Sequence, residues 1–209
     1  LCSGQSNMYW PLGKIADLPG IAGSEEDLAR ADHPTLRLNC DPDHPLCGGG
    51  WKVCTPETAR GFSATAFYFG LFLQQKLDVP VGLIHRSRGG SQIQSWMPAD
   101  VAMADPVIRH YHEVFTQNRK TIETYNRTIS KYHKAANEWW GNRKLPQPVE
   151  PDLMTEECMI ARGFARPGIL FERFIQPVVG YAMRGVIWYQ GESNATSLAV
   201  SQAYDVMLA

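Results

Sequence analysis

The sequence predicts an α/β domain built on a parallel sheet, and three observations carry that expectation. Short apolar runs at 81–85 and 185–189 each end in a polar, glycine-bearing loop, and the chain opens the same way, with Leu1-Cys2-Ser3 leading into Gly4-Gln5-Ser6-Asn7-Met8. Helical stretches lie between these runs, and strands alternating with helices argue for parallel pairing. A length of 209 residues with 44% hydrophobic content is enough for one domain with a sizeable core.

The first ten residues say most about function. Gly4 allows a sharp turn at the end of a strand, and Ser6 is left exposed at the strand's carboxyl end, where open α/β sheets put their reactive groups. A serine presented this way is a candidate nucleophile, and the next backbone N–H can help hold an oxyanion. Small polar residues also crowd into ordinary turns, so the context has to decide. Cys2 reads as a small buried strand residue.

Residues 35–39 read as a second strand. The loop at 41–50, with two prolines and three consecutive glycines, is expected on the surface. Residues 63–77 read as a helix with Ser63 as N-cap and a wide apolar face. The run at 81–85 is a buried strand ending in Arg86-Ser87-Arg88-Gly89-Gly90-Ser91. His85 closes it as a structural histidine, although it is the first candidate base should this segment alone prove active. Arg86 and Arg88 are either solvated or placed to pair with a carboxylate. Trp96 either fills the core or lines a sugar pocket.

Residues 108–139 carry apolar and aromatic side chains spaced alternately three and four apart, with Asn118 in the one polar slot. That is a helical stripe of nearly heptad period, which would reach ~48 Å if unbroken at ~1.5 Å per residue. It reads as an inserted arm or hairpin packed on the domain over about 106–140, in preference to a dimer coil, followed by a proline-rich linker over about 141–151, within a single domain spanning 1–209. The last apolar run, 185–189, ends in Gln190-Gly191-Glu192-Ser193-Asn194. Glu192 in that loop either contacts substrate or a base, or organises backbone N–H groups.

Five cysteines leave at least one unpaired in the chain. Cys40, Cys47 and Cys54 are evenly spaced in the turn-rich region, where a disulfide is expected in an oxidising compartment. Their spacing does not match short Cys-x-x-Cys zinc clips, although His33 and His44 lie nearby. A formal net charge of -1 gives no basis for a nucleic-acid or membrane-surface partner. No apolar run approaches the ~18 residues of a membrane span. Asn126-Arg127-Thr128 and Asn194-Ala195-Thr196 are formal glycosylation sequons, the second discounted because it falls in the candidate site.

Taken together, four segments resemble the sialate O-acetylesterase family of the SGNH (GDSL-like) hydrolases. They are Cys2-Ser3-Gly4-Gln5-Ser6-Asn7-Met8, the run from Phe62 to Gly70, the run from Val79 to Trp96, and the run from Arg184 to Ala195. The resemblance implies a three-layer, flavodoxin-like sheet. It implies that Ser6 is the nucleophile, that Gly90 of the glycine pair gives an oxyanion N–H, and that Asn194 gives a side-chain donor. Gln5, Trp96, Gln190 and Glu192 are the candidate substrate contacts.

The implied reaction is hydrolysis of an acetyl ester on a sugar, with no metal or organic cofactor. Acetyl xylan esterase and a non-catalytic carbohydrate-binding relative are the alternatives. A secreted, periplasmic or lysosomal-type compartment follows from the same resemblance. The family's Asp-x-x-His follows the Gly-Glu-Ser-Asn loop, whereas residues 195–209 hold no histidine. The chain is therefore expected to be a fragment, cut at both ends, with its catalytic Asp and His outside it.

Overall fold

The computed structural model describes residues 1–152, 154–162 and 166–208. In chain order the regular elements are β1 (Cys2–Gly4), α1 (Ser6–Tyr9), α2 (Ser24–Ala29), β2 (His33–Cys40), β3 (Gly50–Cys54), α3 (Pro56–Arg60), α4 (Ala64–Leu77) and β4 (Val81–Ser87). Then come α5 (Ala99–Ala104), α6 (Pro106–Gln117), α7 (Arg119–Gly141), α8 (Glu156–Arg162), β5 (Ile187–Tyr189) and α9 (Leu198–Leu208), with short helical turns between them.

Five strands form one sheet in the order β3-β2-β4-β1-β5. The neighbours β2, β4, β1 and β5 run parallel, and β3 closes one edge antiparallel to β2. The trio β4-β1-β5 reproduces the core of a flavodoxin-like sheet, in which the first strand lies between two later ones. Such a point leaves a crevice at the carboxyl ends of the strands. Strand β2 precedes β4 in the chain but lies outside it. The β3 hairpin strand is an addition to the sequence expectation: its five residues are too short for period-two alternation to stand out.

Side chains alternate across the sheet. Leu36, Leu38, Leu83 and Cys2 face α1 and α4 together with Met8, Leu12, Leu28, Phe62 and Phe67, and all of these are buried. Fully burying a phenylalanine such as Phe67 stabilises by roughly 1.5–3 kcal/mol. Gly70 of α4 lies directly on Leu83: a Cβ there would stand 2.5 Å from the leucine side chain. As expected, Ser63 caps α4, accepting from the Ala66 N–H at 3.1 Å. Against the opposite face lie Phe174 and Val178 of the short turns at 171–178, and Phe174 stacks on Trp96.

One expectation is refined and another changes. The stripe at 108–139, whose length the sequence gives only for an unbroken helix, is divided into α6 and α7 at Asn118. The Asn118 side-chain amide donates to Val114 O at 2.9 Å, alongside its own backbone N–H at 3.0 Å, so both saturate the carbonyl that ends α6. At the other end Asp105 caps α6, accepting from the Val107 and Ile108 N–H groups, with Pro106 following. The 41–50 loop is not wholly superficial, because Asp41 and His44 are buried. A disulfide between Cys40 and Cys47 draws the loop in, and His44 stacks on Tyr9 with ring centroids 5.0 Å apart. Cys54 stays free, its thiol donating to Ala31 O at 3.6 Å.

Gly4 shows why the first turn needs glycine. Its φ of 141° lies where L side chains rarely go, and a Cβ would stand 2.1 Å from Tyr189 O on the neighbouring strand. Gly4→Ala is expected to lower the unfolding free energy by roughly 3 kcal/mol or more, combining strain with a backbone clash. Urea melts check this, and a midpoint equal to the parent's would contradict the clash.

Candidate active site

The site is assembled where three strands end side by side. Gly4 of β1 pairs in register with Ser87 of β4 and Tyr189 of β5. Each strand therefore delivers its following loop to the same edge: Gln5-Ser6-Asn7, Arg88-Gly89-Gly90-Ser91, and Gln190-Gly191-Glu192-Ser193-Asn194.

The chain turns from β1 straight into α1 at Ser6, one helical turn and not a loop. Met8 and Tyr9 N–H both donate to Gln5 O, and Trp10 N–H donates to Ser6 O. Helix geometry leaves the first N–H groups without intrahelical partners, and Ser6 N–H makes no hydrogen bond among the described residues. Ser6 itself is half-buried, and its hydroxyl is likewise unengaged there.

Gly89 lies against it: a Cβ on Gly89 would stand 4.0 Å from Ser6 Cβ. Gly90 has a φ of 69° and open space where its Cβ would be. Arg88 N–H donates to Gly4 O at 3.1 Å and Ser91 N–H to Arg88 O at 3.3 Å, which pins this loop to the serine turn.

Asn194 is buried, with its orientation fixed from several sides. Its Oδ1 accepts from Ile93 N–H at 3.0 Å and from Gln190 Nε2 at 2.7 Å. Its Nδ2 donates to Gln94 Oε1 at 3.2 Å. An amide nitrogen carries two hydrogens, and this bond uses one of them.

Around it runs a network of carboxamides. Gln190 Nε2 also lies 3.2 Å from Gln5 Oε1 and 3.0 Å from Ser91 O, and Gln5 Oε1 accepts from Ser193 N–H. Gln94 Nε2 donates to Gln92 Oε1, and Gln92 Nε2 to Ser193 O. Buried networks of this kind fix a single arrangement when satisfied. Gln190 Oε1, buried and without a hydrogen bond, is the exception.

The sequence candidates therefore separate into two sets. Ser6 and the glycine pair stand together at the edge, while Asn194 is buried in the carboxamide network beside it. Gln5 and Gln190 lie within the network that joins the loops, and Trp96 is buried behind it. Trp96 Nε1 donates to Ser91 Oγ at 2.9 Å, and its ring meets Trp188 edge-on. Glu192 is exposed and accepts from Asn7 Nδ2 at 2.5 Å, clasping the serine turn to the third loop.

Asn7, Gln92 and Gln94 escaped the sequence reading. Gln92 and Gln94 lie in the polar run Ser91-Gln92-Ile93-Gln94-Ser95, which carries no local sign that its amides are buried. Arg86 is buried, donating to His85 O and Asn39 Oδ1, and lines a cavity of about 310 Å³ with Asp41 and Tyr181 on the face away from α4.

His85 lies fully buried beneath α1, its Nε2 2.5 Å from Ser87 Oγ. Burial pushes its pKa down to about 3, helped by His44 and Arg86 and opposed by a backbone contact from Met8. Burial likewise lowers His44 and raises the Cys2 thiol to about 11, so Cys2 is an inert strand residue.

No family model matches the chain. It is 25% identical to the sialate O-acetylesterase of Mus musculus over 212 aligned residues, covering 93% of this chain and 35% of that protein. Against the Homo sapiens sialate O-acetylesterase the identity is 24%, covering 93% and 31%. The crystal structure of a carbohydrate acetylesterase from Xanthomonas citri superposes with a TM-score of 0.56 at 25% identity, covering 95% of this chain and 33% of that one. The chain thus spans about a third of the length of the relatives it matches. Nearly the whole chain is thus similar to part of the sialate O-acetylesterases and of a carbohydrate acetylesterase, and the segments that carry the likeness meet at one sheet edge.

Proposed function

We propose that the segment carries the nucleophile and oxyanion hole of a carbohydrate acetylesterase, with O-acetylated sialic acid as the first candidate substrate. The observation that supports this most is that the loops carrying Ser6, Gly89–Gly90 and Asn194 follow three neighbouring strands that end side by side, with Gly89 against Ser6. In this reading Ser6 Oγ attacks the acetyl carbonyl. The oxyanion is held by Ser6 N–H, Gly90 N–H and the remaining hydrogen of Asn194 Nδ2. Gln5 and Gln190 keep the three loops in register, and Glu192 holds Asn7 or meets the sugar.

A serine hydroxyl needs a base at neutral pH. His85, sealed under α1 and engaged with Ser87, is a poor one, so the reading takes the base to be a histidine outside residues 1–209, oriented by a carboxylate. Water then releases acetate. The test is turnover by the full-length protein on three substrates: an aryl acetate, O-acetylated sialic acid and acetylated xylo-oligosaccharides. Release of acetate from the sialic acid at the highest kcat/KM is expected. Preference for the xylo-oligosaccharide moves the assignment to acetyl xylan esterase. Binding of the sugars with no acetate released from any substrate points to a non-catalytic relative.

A further inference from the structure

The disulfide loop and β4 bring together residues that the sequence keeps apart. Cys40 and Cys47 lie at the two ends of one short loop, and His85 comes from the fourth strand. Among the described residues, the two sulfurs and a ring nitrogen of His85 lie within 4.8 Å of one another. We propose that this cluster is a redox-gated metal site: when the Cys40–Cys47 bond is reduced, the two thiolates and the His85 imidazole bind one Zn²⁺.

Three features support it. First, the donor set is right for a borderline-soft ion, and the reach is short. With Zn–S bonds of ~2.3 Å and a Zn–N bond of ~2.0 Å, tetrahedral ligand atoms stand roughly 3.5–3.8 Å apart. Opening the S–S bond and a small inward movement supply that spacing.

Second, His85 Nδ1 is buried and makes no hydrogen bond of normal geometry, while Nε2 has Ser87 Oγ at 2.5 Å. A metal-bound imidazole typically donates its other N–H to an outer-shell oxygen, and Ser87 provides one.

Third, His44 sits between the cysteines in the loop, its ring centroid 5.2 Å from that of His85. Its Nδ1 accepts from Leu46 N–H at 3.2 Å, so the proton resides on Nε2, which is buried without a partner. His44 thus lies beside the cluster without being one of its three grouped ligands.

The chemistry balances with an added reductant. A trialkylphosphine attacks the S–S bond and ends as its oxide, taking the oxygen of one water molecule, and that water's two protons yield the two thiols. The thiols release those protons to solvent as the ion binds.

The experiment uses the whole chain with Zn²⁺ and, as a spectroscopic probe, Co²⁺. Reduced protein freed of excess ion by gel filtration should hold about one ion per chain, with thiolate-to-cobalt charge-transfer absorption. The oxidised protein should hold none. Cys47→Ser, whose side chain is only half-buried, should lose stoichiometric binding without loss of circular dichroism, and His85→Gln should weaken it by about 10-fold or more. His44→Ala should still load. Failure of the reduced parent to load, or equal loading and absorption in Cys47→Ser or His85→Gln, would overturn the proposal. Equal loading in those variants would instead assign the metal to Cys2, Cys54 or Cys158.

Discussion

Replacing Ser6 with alanine in the full-length protein is expected to reduce acetyl-ester hydrolysis by about 10⁴-fold or more while leaving the fold intact. The size follows from the role assigned: without the nucleophile, only the oxyanion donors and substrate binding remain, and these retain a small part of the acceleration. That the fold survives follows from the structure. Ser6 is half-buried, and its hydroxyl makes no hydrogen bond among the described residues. Removing such an atom changes stability by about 0.5 kcal/mol or less. The backbone bonds that hold the turn, from Met8, Tyr9 and Trp10, do not involve the side chain. Turnover of an aryl acetate and a thermal melt, taken on the same preparation, check both halves. An active Ser6→Ala enzyme would remove Ser6 from the mechanism. A Ser6→Ala protein that melts far below the parent would mean the serine is structural.

Much of this site could be read from residues alone, because each loop follows a strand and carries its own local signal. Glycines mark the turns, and the serine, the glycine pair and the asparagine are chemically distinctive. Geometry between the loops is a different matter. That Gln94 orients Asn194, or that Gln190 reaches Gln5 and Ser91, depends on groups 99 to 185 positions apart meeting across a sheet edge. Glutamine has no periodicity that announces burial.

The same limit explains His85 and the disulfide loop. The even spacing of Cys40, Cys47 and Cys54 offered several pairings, and only the packing of Cys54 against Ala31 separates them. Asn118 illustrates the reverse case. Its polar slot in the stripe was visible, but whether it interrupts the helix depends on where its amide goes, and here it turns back to Val114 O. The order of the sheet was legible only through the family resemblance, since nothing in β2 says that it lies outside β4.

Asn194→Ala should lower kcat by about 10²–10³ with little change in KM, the loss typical of one oxyanion donor. A donor aimed at charge that develops during the reaction acts on the transition state more than on the bound substrate. Alanine alone does not isolate that effect. Truncation also strips the acceptor from Ile93 N–H and Gln190 Nε2 and leaves Gln94 Oε1 without its partner. Buried groups left unpaired cost about 1–3 kcal/mol each, so the loop itself can shift.

Asn194→Asp separates the two effects. It keeps an oxygen where Ile93 and Gln190 need one and replaces only the donating nitrogen with a second, negatively charged oxygen. If Asn194 is an oxyanion donor, the aspartate variant should lose at least as much kcat as alanine, because it repels the developing charge, and its melt reports the cost of setting a carboxylate oxygen against Gln94 Oε1. If Asn194 only anchors the loop through Oδ1, the aspartate variant should keep most of its activity and alanine should not. Steady-state kinetics and melts of the two variants side by side distinguish these outcomes. A rise in KM with kcat unchanged in both would place Asn194 against the ground-state substrate and leave the oxyanion to the backbone N–H groups of Ser6 and the glycine pair.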